Sequence, residues 1–246
     1  MSATWLLARR NLGGNRVRLL ASVGGVALAL SLSLALDAIY AGVANQLTTY
    51  IDEAGADVWV SQSGVRNLHM VSSWLPDEVV SEVQAVDGVA EVTPILYATD
   101  TIAARDERAV AYVIGLPADP AMGRPWRIVE GSDVPSAGEV IVDAAFAERA
   151  GVAIGGSVTV LGGTSRVAGL SQGTASLLNS VAFVSSDDFR AMRGGAPLVS
   201  YVLARVDPGA DPEAVAADVE RVVPGVTAQS AAAFSVEERR TRPWTS

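Results

Sequence analysis

The stretch LLASVGGVALALSLSLAL, residues Leu19–Leu36, decides how the chain is organised. It is 18 residues long and contains no charged residue. At about 1.5 Å per residue, a helix of this length extends about 27 Å, close to the roughly 30 Å hydrocarbon core of a bilayer. Because the run is apolar on every face, it is more typical of a membrane span than of a buried helix in a soluble protein. We therefore predict a transmembrane helix and stalk over 19–50.

Charge is divided unevenly between the two sides of this run. Residues 1–18 hold four arginines and no acidic residue, whereas the acidic residues of the chain all follow the run. Cytoplasmic flanks of membrane spans are enriched in basic residues, so we expect the N-terminus in the cytoplasm and the residues after Tyr40 outside it. A cleaved signal peptide is the alternative, but its apolar region is usually about 7–15 residues long and no clear A-x-A site follows this run.

Two further patterns near the run predict contacts with the membrane and with other helices. Trp5 and several leucines alternate with arginines in 1–18, which predicts a cytoplasmic amphipathic segment, with a disordered basic tail as the alternative. Small residues at every fourth position predict a membrane-packing stripe, which the alanine-rich composition explains equally well. The stripe consists of Ala21, Gly25, Ala29 and Ser33.

Two β-α-β patterns frame the rest of the chain. In the first, a strand at 56–61 is followed by a helix from Pro76 and a strand at 89–97. In the second, a strand at 198–206 is followed by a helix that begins at Asp211-Pro212 and a short strand at 226–229. Two such units form one ferredoxin-like lobe when they pair. We predict this lobe over 55–98 plus 197–230.

The residues between the two units, 99–196, form a second predicted lobe that is inserted into the first. Five short β-branched runs predict strands, Gly162-Gly163 indicates a hairpin between two of them, and short helices are predicted at 143–150 and 187–193. The fold class is therefore α+β: one N-terminal transmembrane helix followed by a two-lobed extracytoplasmic domain, a ferredoxin-like βαβ lobe with an inserted strand-rich lobe. The core domain is predicted over 51–235.

The residue types of the chain exclude several classes of function. The absence of cysteine excludes thiol catalysis and cysteine-ligated metal sites. All 18 basic residues are arginine, so the chain lacks the lysine of a Walker A motif and cannot be a P-loop ATPase by itself. A sequence pI near 4.6 argues against nucleic acid as a partner. We expect no enzymatic activity, no cofactor and no metal.

One motif resembles the nucleophile elbow of serine hydrolases. Gly169–Gly173 reads GLSQG, which places Ser171 at the nucleophile position of G-x-S-x-G. That motif needs a strand before it, a helix after it and a histidine base later in the chain, yet the single histidine, His69, lies upstream. An exported hydrolase that uses Ser171 is therefore only the third hypothesis, and a glycine-flanked loop is the preferred interpretation.

The segment GVRNLHMVSSWL, residues 64–75, is a candidate partner-contact loop. It places several apolar side chains between two predicted elements, where they either fold back onto the core or form an apolar contact surface. Packing in the core is the more common outcome for such residues. The four candidate contact residues are Val65, Leu68, Met70 and Trp74.

Beyond these patterns, the chain resembles the permeases of MacB/FtsX/LolC-type ABC transporters, nearest to their DevC-like branch. The resemblance is carried by LARRNLGGNRVRLLASVGGVALALSLSLAL, GADVWVSQSG, the paired turns DGVAEVTP and PGVTAQ, and VAGLSQGTASLLNSVAFVS. It implies a cytoplasmic amphipathic N-terminus, a first span, a large two-lobed extracytoplasmic core domain and three further spans. It also implies a dimer that works with a separate cytoplasmic ATPase dimer, whose ATP hydrolysis moves the extracytoplasmic domains.

The sequence departs from this family pattern after VEERR, where a stalk helix would lead into a second span. We therefore expect 236–246 to be a truncated stalk and the chain to be a truncated permease subunit in the inner membrane. Its expected partners are a cytoplasmic ABC ATPase subunit in trans and a second copy of the chain or the missing permease spans. The alternative is a single-span, membrane-anchored extracytoplasmic binding or sensing module without transport activity.

Overall fold

The computed structural model describes residues 16–68, 72–174 and 179–240, with the backbone alone at 16–19, 37–47 and 239–240. The chain divides into two compact units, 1–45 and 46–246. Helix α1 runs from Arg16 to Glu53 and covers the predicted span. Every described side chain of that span, from 20 to 36, is exposed. Over the described residues, no helix is both long and apolar enough to cross a membrane, so the span remains a prediction.

The second unit is built on one mixed sheet of ten strands. Nine of them form the order β12-β1-β11-β3-β4-β9-β6-β8-β5, β7 pairs with β3 and β8, and β2 and β10 form a separate pair. The strands are β1 Val58–Gln62, β2 Leu75–Pro76, β3 Val89–Ala104, β4 Glu107–Leu116, β5 Ile128–Gly131, β6 Glu139–Asp143, β7 Ser157–Val160, β8 Gly163–Ser171, β9 Ser180–Ser185, β10 Leu198–Val199, β11 Tyr201–Val206 and β12 Val226–Ser230. The helices that follow α1 are α2 Glu78–Gln84, α3 Ala144–Ala150, α4 Ser186–Met192, α5 Pro212–Val222 and α6 Ala231–Arg240.

Strand β3 is shared by both halves of this sheet. Up to Ile95 it pairs with β11, and from Leu96 onward it pairs with β4. The sequence predicted a strand only over 89–97, whereas the observed strand continues to Ala104, because nine consecutive residues pair with β4. One long strand therefore joins the two halves into a continuous sheet.

The first half consists of β12, β1, β11 and β3, which are antiparallel to their neighbours. Helix α2 connects β1 to β3 and helix α5 connects β11 to β12, so the two β-α-β units interleave. Both helices pack valines against the same face of the sheet. The buried residues of this core include Val58, Val60, Val79, Val83, Val215 and Val219.

The second half consists of β4, β9, β6, β8, β5 and β7, with α3 and α4 packed on it around Phe146 and Phe189. Each of these short helices begins with a side-chain cap: Asp143 accepts a hydrogen bond from the amide of Ala145, and Ser185 accepts one from that of Asp188. The predicted hairpin joins β7 to β8. Its turn lies at Leu161-Gly162, with φ of 52° and 78°, so both residues adopt the left-handed backbone of a tight hairpin turn.

Several other boundaries differ from the sequence predictions, and one strand was missed. Pro76 lies in β2, and the helix begins two residues later at Glu78. The predicted strand over 198–206 is split at Ser200, whose hydroxyl accepts a hydrogen bond from the Tyr97 amide. Strand β5 was missed, because four residues are too few to show a period. Finally, α6 continues without a break across the predicted boundary between 235 and 236.

Candidate functional site: the aromatic face under α1 and α6

The face of the sheet opposite the valine core carries most of the buried aromatic side chains. Side chains alternate along a strand, so in β1 Trp59 points to this face while Val58 and Val60 point to the helices α2 and α5. We call the buried residues of this second face the aromatic cluster. Its aromatic members are Tyr50, Trp59, Phe183, Tyr201 and Phe234.

The last turns of α1 cover one part of the aromatic cluster. Tyr50 and Ile51 are buried, and the Tyr50 ring lies edge-on to Trp59 with centroids 5.9 Å apart. The Tyr50 hydroxyl donates a hydrogen bond to the Gly123 carbonyl oxygen at 3.2 Å. Burial raises the pKa of Tyr50 far above its ordinary value, so this phenol stays neutral and keeps donating. The C-terminal end of α1 is thus part of the core of the second unit.

Helix α6 covers a neighbouring part of the same cluster. Phe234 stacks on Trp59, with centroids 5.2 Å apart and rings 19° from parallel, and it also meets the edge of Tyr201. The Ser235 hydroxyl donates to the carboxylate of Asp52, in the last turn of α1. Two helices that are far apart in sequence are therefore bonded to each other on one face of the sheet.

Glu238, one turn further along α6, is a buried carboxylate. It is only 4% exposed, and its Oε2 accepts a hydrogen bond from the backbone amide of Leu68 at 2.6 Å. Burial raises the pKa of Tyr201 and that of Tyr112, and the negative charge of Glu238 raises both further. The pKa of Tyr97 is raised in the same way, mainly by burial. The carboxylate thus lies among phenols that remain neutral.

The structure separates the four residues of the predicted contact loop. Val65 and Leu68 are buried, and Leu68, at 1% exposed, belongs to the aromatic cluster. These two side chains therefore take the preferred alternative, in which such residues pack in the core. Trp74 is 44% exposed and presents an apolar surface, whereas Met70 lies outside the described residues.

The small-residue stripe lies on α1 in the first unit. Ala21, Gly25, Ala29 and Ser33 are all exposed, and no atom outside the helix comes within 4 Å of a Cβ built on Gly25. The stripe is therefore open for close approach by another helix, which its small side chains permit.

Ser171 is not a nucleophile. It is fully buried at the end of β8, and its hydroxyl lies 2.6 Å from that of Thr174 and 3.3 Å from the Val142 carbonyl oxygen. Thr174 in turn donates its hydroxyl and its amide to Asp143, the residue that caps α3. The elbow hypothesis is wrong because this serine belongs to a buried capping network, and His69 lies outside the described residues. Among the described residues, no cluster of His, Cys, Asp or Glu could hold a metal ion.

Asp52 and Ser235, which join α1 to α6, and the buried Glu238, which joins α6 to Leu68, were not predicted from the sequence. Glu238 lies in the charged run VEERR, where it looks like Glu237 and the arginines beside it. One signal was available: Phe234 lies four residues before Glu238, so both fall on the same side of a helix. An apolar residue and an acidic residue on one helix face indicate a buried acid only when it is known that this face packs on the sheet.

The family model of the MacB-like periplasmic core domain matches residues 19–222. The extracellular domain of the noncanonic ABC-type transporter YknZ from Gram-positive bacteria has a similar fold, with a TM-score of 0.55 and 13% identity over 71% of this chain and 100% of that one. The periplasmic region of MacB from Actinobacillus actinomycetemcomitans is also similar, with a TM-score of 0.54 and 11% identity over 80% and 99%. These identities show a shared fold alone. No curated protein matches the chain.

Proposed function

Because the chain belongs to the MacB-like periplasmic core domain family, we propose that it is a permease subunit of an ABC transporter, in which its sheet domain acts outside the cytoplasm. The observation that carries this proposal is the construction of α1. Its exposed apolar part, 20–36, and its buried last turns around Tyr50 and Ile51 belong to one helix. The same helix therefore combines a segment suited to lipid with a segment built into the folded domain.

The proposed orientation follows from charge and exposure. In this proposal, residues 1–18 lie at the cytoplasmic surface of the inner membrane, 19–36 span it, and the rest of 19–50 forms the stalk. Leucines and valines exposed on every side of the helix are costly in water and favourable in lipid. They include Leu28 and Leu34, at 72% and 70% exposed.

The proposed mechanism couples a separate cytoplasmic ATPase to movement of the sheet domain. The chain has no lysine for a phosphate-binding loop, so ATP would be hydrolysed by a partner in trans. Helices α1 and α6 are bonded through Asp52 and Ser235 and both pack on the aromatic cluster. A displacement of α1 would therefore be passed to the sheet through tightly packed side chains, because interiors of native density deform little.

The remaining domain assignments are part of the same proposal. We assign a ferredoxin-like lobe to 55–98 plus 197–230 and an inserted lobe to 99–196, which the partner exchange within β3 supports. The chain would act as a homodimer through the small-residue stripe on α1. Of the predicted contact loop, Trp74 is the described residue whose exposure suits a contact with an extracytoplasmic partner.

The test of orientation uses the absence of native cysteine. Single cysteines are placed at Asn15, before the apolar run, and at Asp218, on the exposed surface of α5, and intact cells are treated with a membrane-impermeant maleimide. We expect D218C to react in intact cells once any outer barrier is opened, and N15C to react only after lysis. The fully buried F183C is the control for nonspecific labelling. Labelling of both sites in intact cells, or of neither, would refute the orientation.

The test of function is co-purification with an ATPase. We expect the chain to be recovered from membranes together with an ABC ATPase. Variants with leucine in place of Gly25 and Ala29 should co-purify with less of a second, differently tagged copy of the chain. Recovery of the anchored chain without an ATPase would instead favour the single-span binding or sensing module. Release of the mature protein without residues 1–40 would refute both.

A further inference from the structure

The buried carboxylate of Glu238 holds the backbone of a short segment, 65–68, that lies between β1 and β2. Its Oε2 accepts the Leu68 amide at 2.6 Å, and next to it the Tyr201 hydroxyl donates to the Asn67 carbonyl oxygen at 3.1 Å. The Leu68 side chain is itself buried in the aromatic cluster. The segment is therefore fixed to α6 on one side and to the sheet on the other.

The bond between Glu238 and Leu68 is a strong one. Hydrogen bonds with an ionised acceptor are shorter and stronger than neutral ones, and this acceptor is buried. Tyr97, Tyr112 and Tyr201 are the phenols that face this carboxylate, and burial and its charge raise the pKa of each.

The middle of α6 is bonded to α1 and packs on the aromatic cluster. Ser235 donates to Asp52, and the residue before it, Phe234, stacks on Trp59. No described residue accepts a hydrogen bond from the buried indole N–H of Trp59. Ring pairs prefer particular arrangements, and hydrogen bonds weaken steeply when they bend.

We propose that α6 is a coupling element that links the end of α1 to the segment 65–68. The link runs from Asp52 to Ser235, along one turn of α6, and from Glu238 to Leu68. A displacement of α1 then changes the hydrogen bonding of the segment 65–68 through α6. The inference goes beyond the transport role, because it requires only contacts within 46–240.

The coupled segment leads to the exposed Trp74. The chain after residue 71 is attached to β1 by two bonds: the Gln62 amide donates to Ser73 Oγ at 2.8 Å, and the Trp74 amide donates to Gln62 Oε1 at 3.3 Å. The loop is thus bonded to α6 at Leu68, and its part after residue 71 is bonded to β1.

The experiment is residue-resolved amide hydrogen exchange on the full chain in detergent micelles, read at Leu68. E238A removes the acceptor, and we expect exchange at Leu68 to rise about tenfold or more, with a smaller rise in E238Q, which keeps a neutral acceptor. The decisive variant is S235A, because its side chain does not bond to Leu68. We expect S235A to raise exchange at Leu68 by about threefold or more.

A matched pair elsewhere in the fold provides the control. Glu220, on α5, accepts the backbone amide of Ala228 at 2.9 Å, so E220A should raise exchange at Ala228 and leave Leu68 unchanged. Unchanged exchange at Ala228 in the α6 variants would show that the sheet is intact. If E238A fails to fold, amide exchange at Leu68 in E238Q and S235A still tests the coupling. A wild-type exchange rate at Leu68 in S235A would overturn the coupling.

Discussion

The two faces of the sheet are held by different kinds of contact. The face under α2 and α5 is packed with valines, among them Val60, Val83 and Val219. The face under α1 and α6 is packed with aromatic rings and closed by hydrogen bonds between distant residues, such as Ser235 with Asp52. Aliphatic packing is non-directional, whereas ring pairs and hydrogen bonds specify one arrangement. The valine face therefore suits a permanent core, and the aromatic face suits an attachment whose geometry matters.

The largest expected difference between the faces is the cost of truncating adjacent β1 residues. W59A removes the ring against which Tyr50, Tyr201 and Phe234 pack, and we expect it to lower the free energy of unfolding by about 3–5 kcal/mol. V60A, on the valine face, should cost about 2 kcal/mol. Urea unfolding of the full chain, followed by circular dichroism, measures both. Equal losses would mean that the aromatic face is no more important to stability than the valine face.

The second-largest expected effect measures how much the packing of α6 on the sheet contributes to stability. F234A removes the stacked ring and should cost about 3–4 kcal/mol, because a large cavity opens above Trp59. V236A, two residues further on the exposed side of the same helix, should change stability by less than about 0.5 kcal/mol. The same denaturation assay applies. A loss in V236A as large as that in F234A would show that helix propensity, rather than the stack, determines the stability of α6.

The valine face could be predicted from the sequence, and the aromatic face could not. Val79, Val83 and Val215 recur at helical spacing beside caps and turns, so the helices of both β-α-β units were predicted close to their observed bounds. The aromatic cluster is assembled from Tyr50, Trp59 and Phe234, which are separated by long stretches of chain. Local periodicity carries no information about such contacts. The same reason explains why the sequence left open whether Leu68 packs in the core or forms a contact surface, since the helix that buries it lies far along the chain.

The third effect distinguishes the faces by pH. Burial raises the pKa of Tyr50, Tyr97 and Tyr201 in the folded state, while the unfolded chain keeps the ordinary value near 10. Below about pH 10 both states hold these protons, so stability does not depend on them. Above it, the unfolded state loses protons that the folded state retains, and stability falls by up to about 1.4 kcal/mol per pH unit for each tyrosine.

Y50F tests this assignment to the aromatic face. At neutral pH it should cost about 1 kcal/mol, because the hydrogen bond to the Gly123 carbonyl is lost. Above pH 10 its stability should fall less steeply than that of the wild type, since one titrating group is gone. Urea midpoints between pH 8 and about pH 11 provide the comparison. A slope identical to that of the wild type would assign the alkaline loss to other tyrosines.

The smallest expected effects come from the hydrogen bonds that fix one helix on each face of the sheet. On the valine face, α5 begins at a local cap, in which Asp211 accepts the Glu213 amide at 3.1 Å, and D211A should cost about 1 kcal/mol. D211N should be nearly neutral, because asparagine caps helices as well as aspartate does. S235A should cost about 1–2 kcal/mol, since it removes a bond to a charged acceptor that belongs to another helix.

The losses of stability in D211A and S235A are close in size, so the two variants are distinguished by the positions at which amide exchange rises. Loss of a local cap frays the first turn of α5 and leaves the aromatic face unchanged, because over the described residues the hydrogen bonds of Asp211 lie within α5. Loss of the Ser235 bond frees α6 from α1, so amide exchange should rise in the last turn of α1 as well as in α6. If D211A and S235A both altered exchange only within their own helices, the attachment of α6 would be as local as a cap. The contrast between a permanent core and a specified attachment would then rest on ring packing alone.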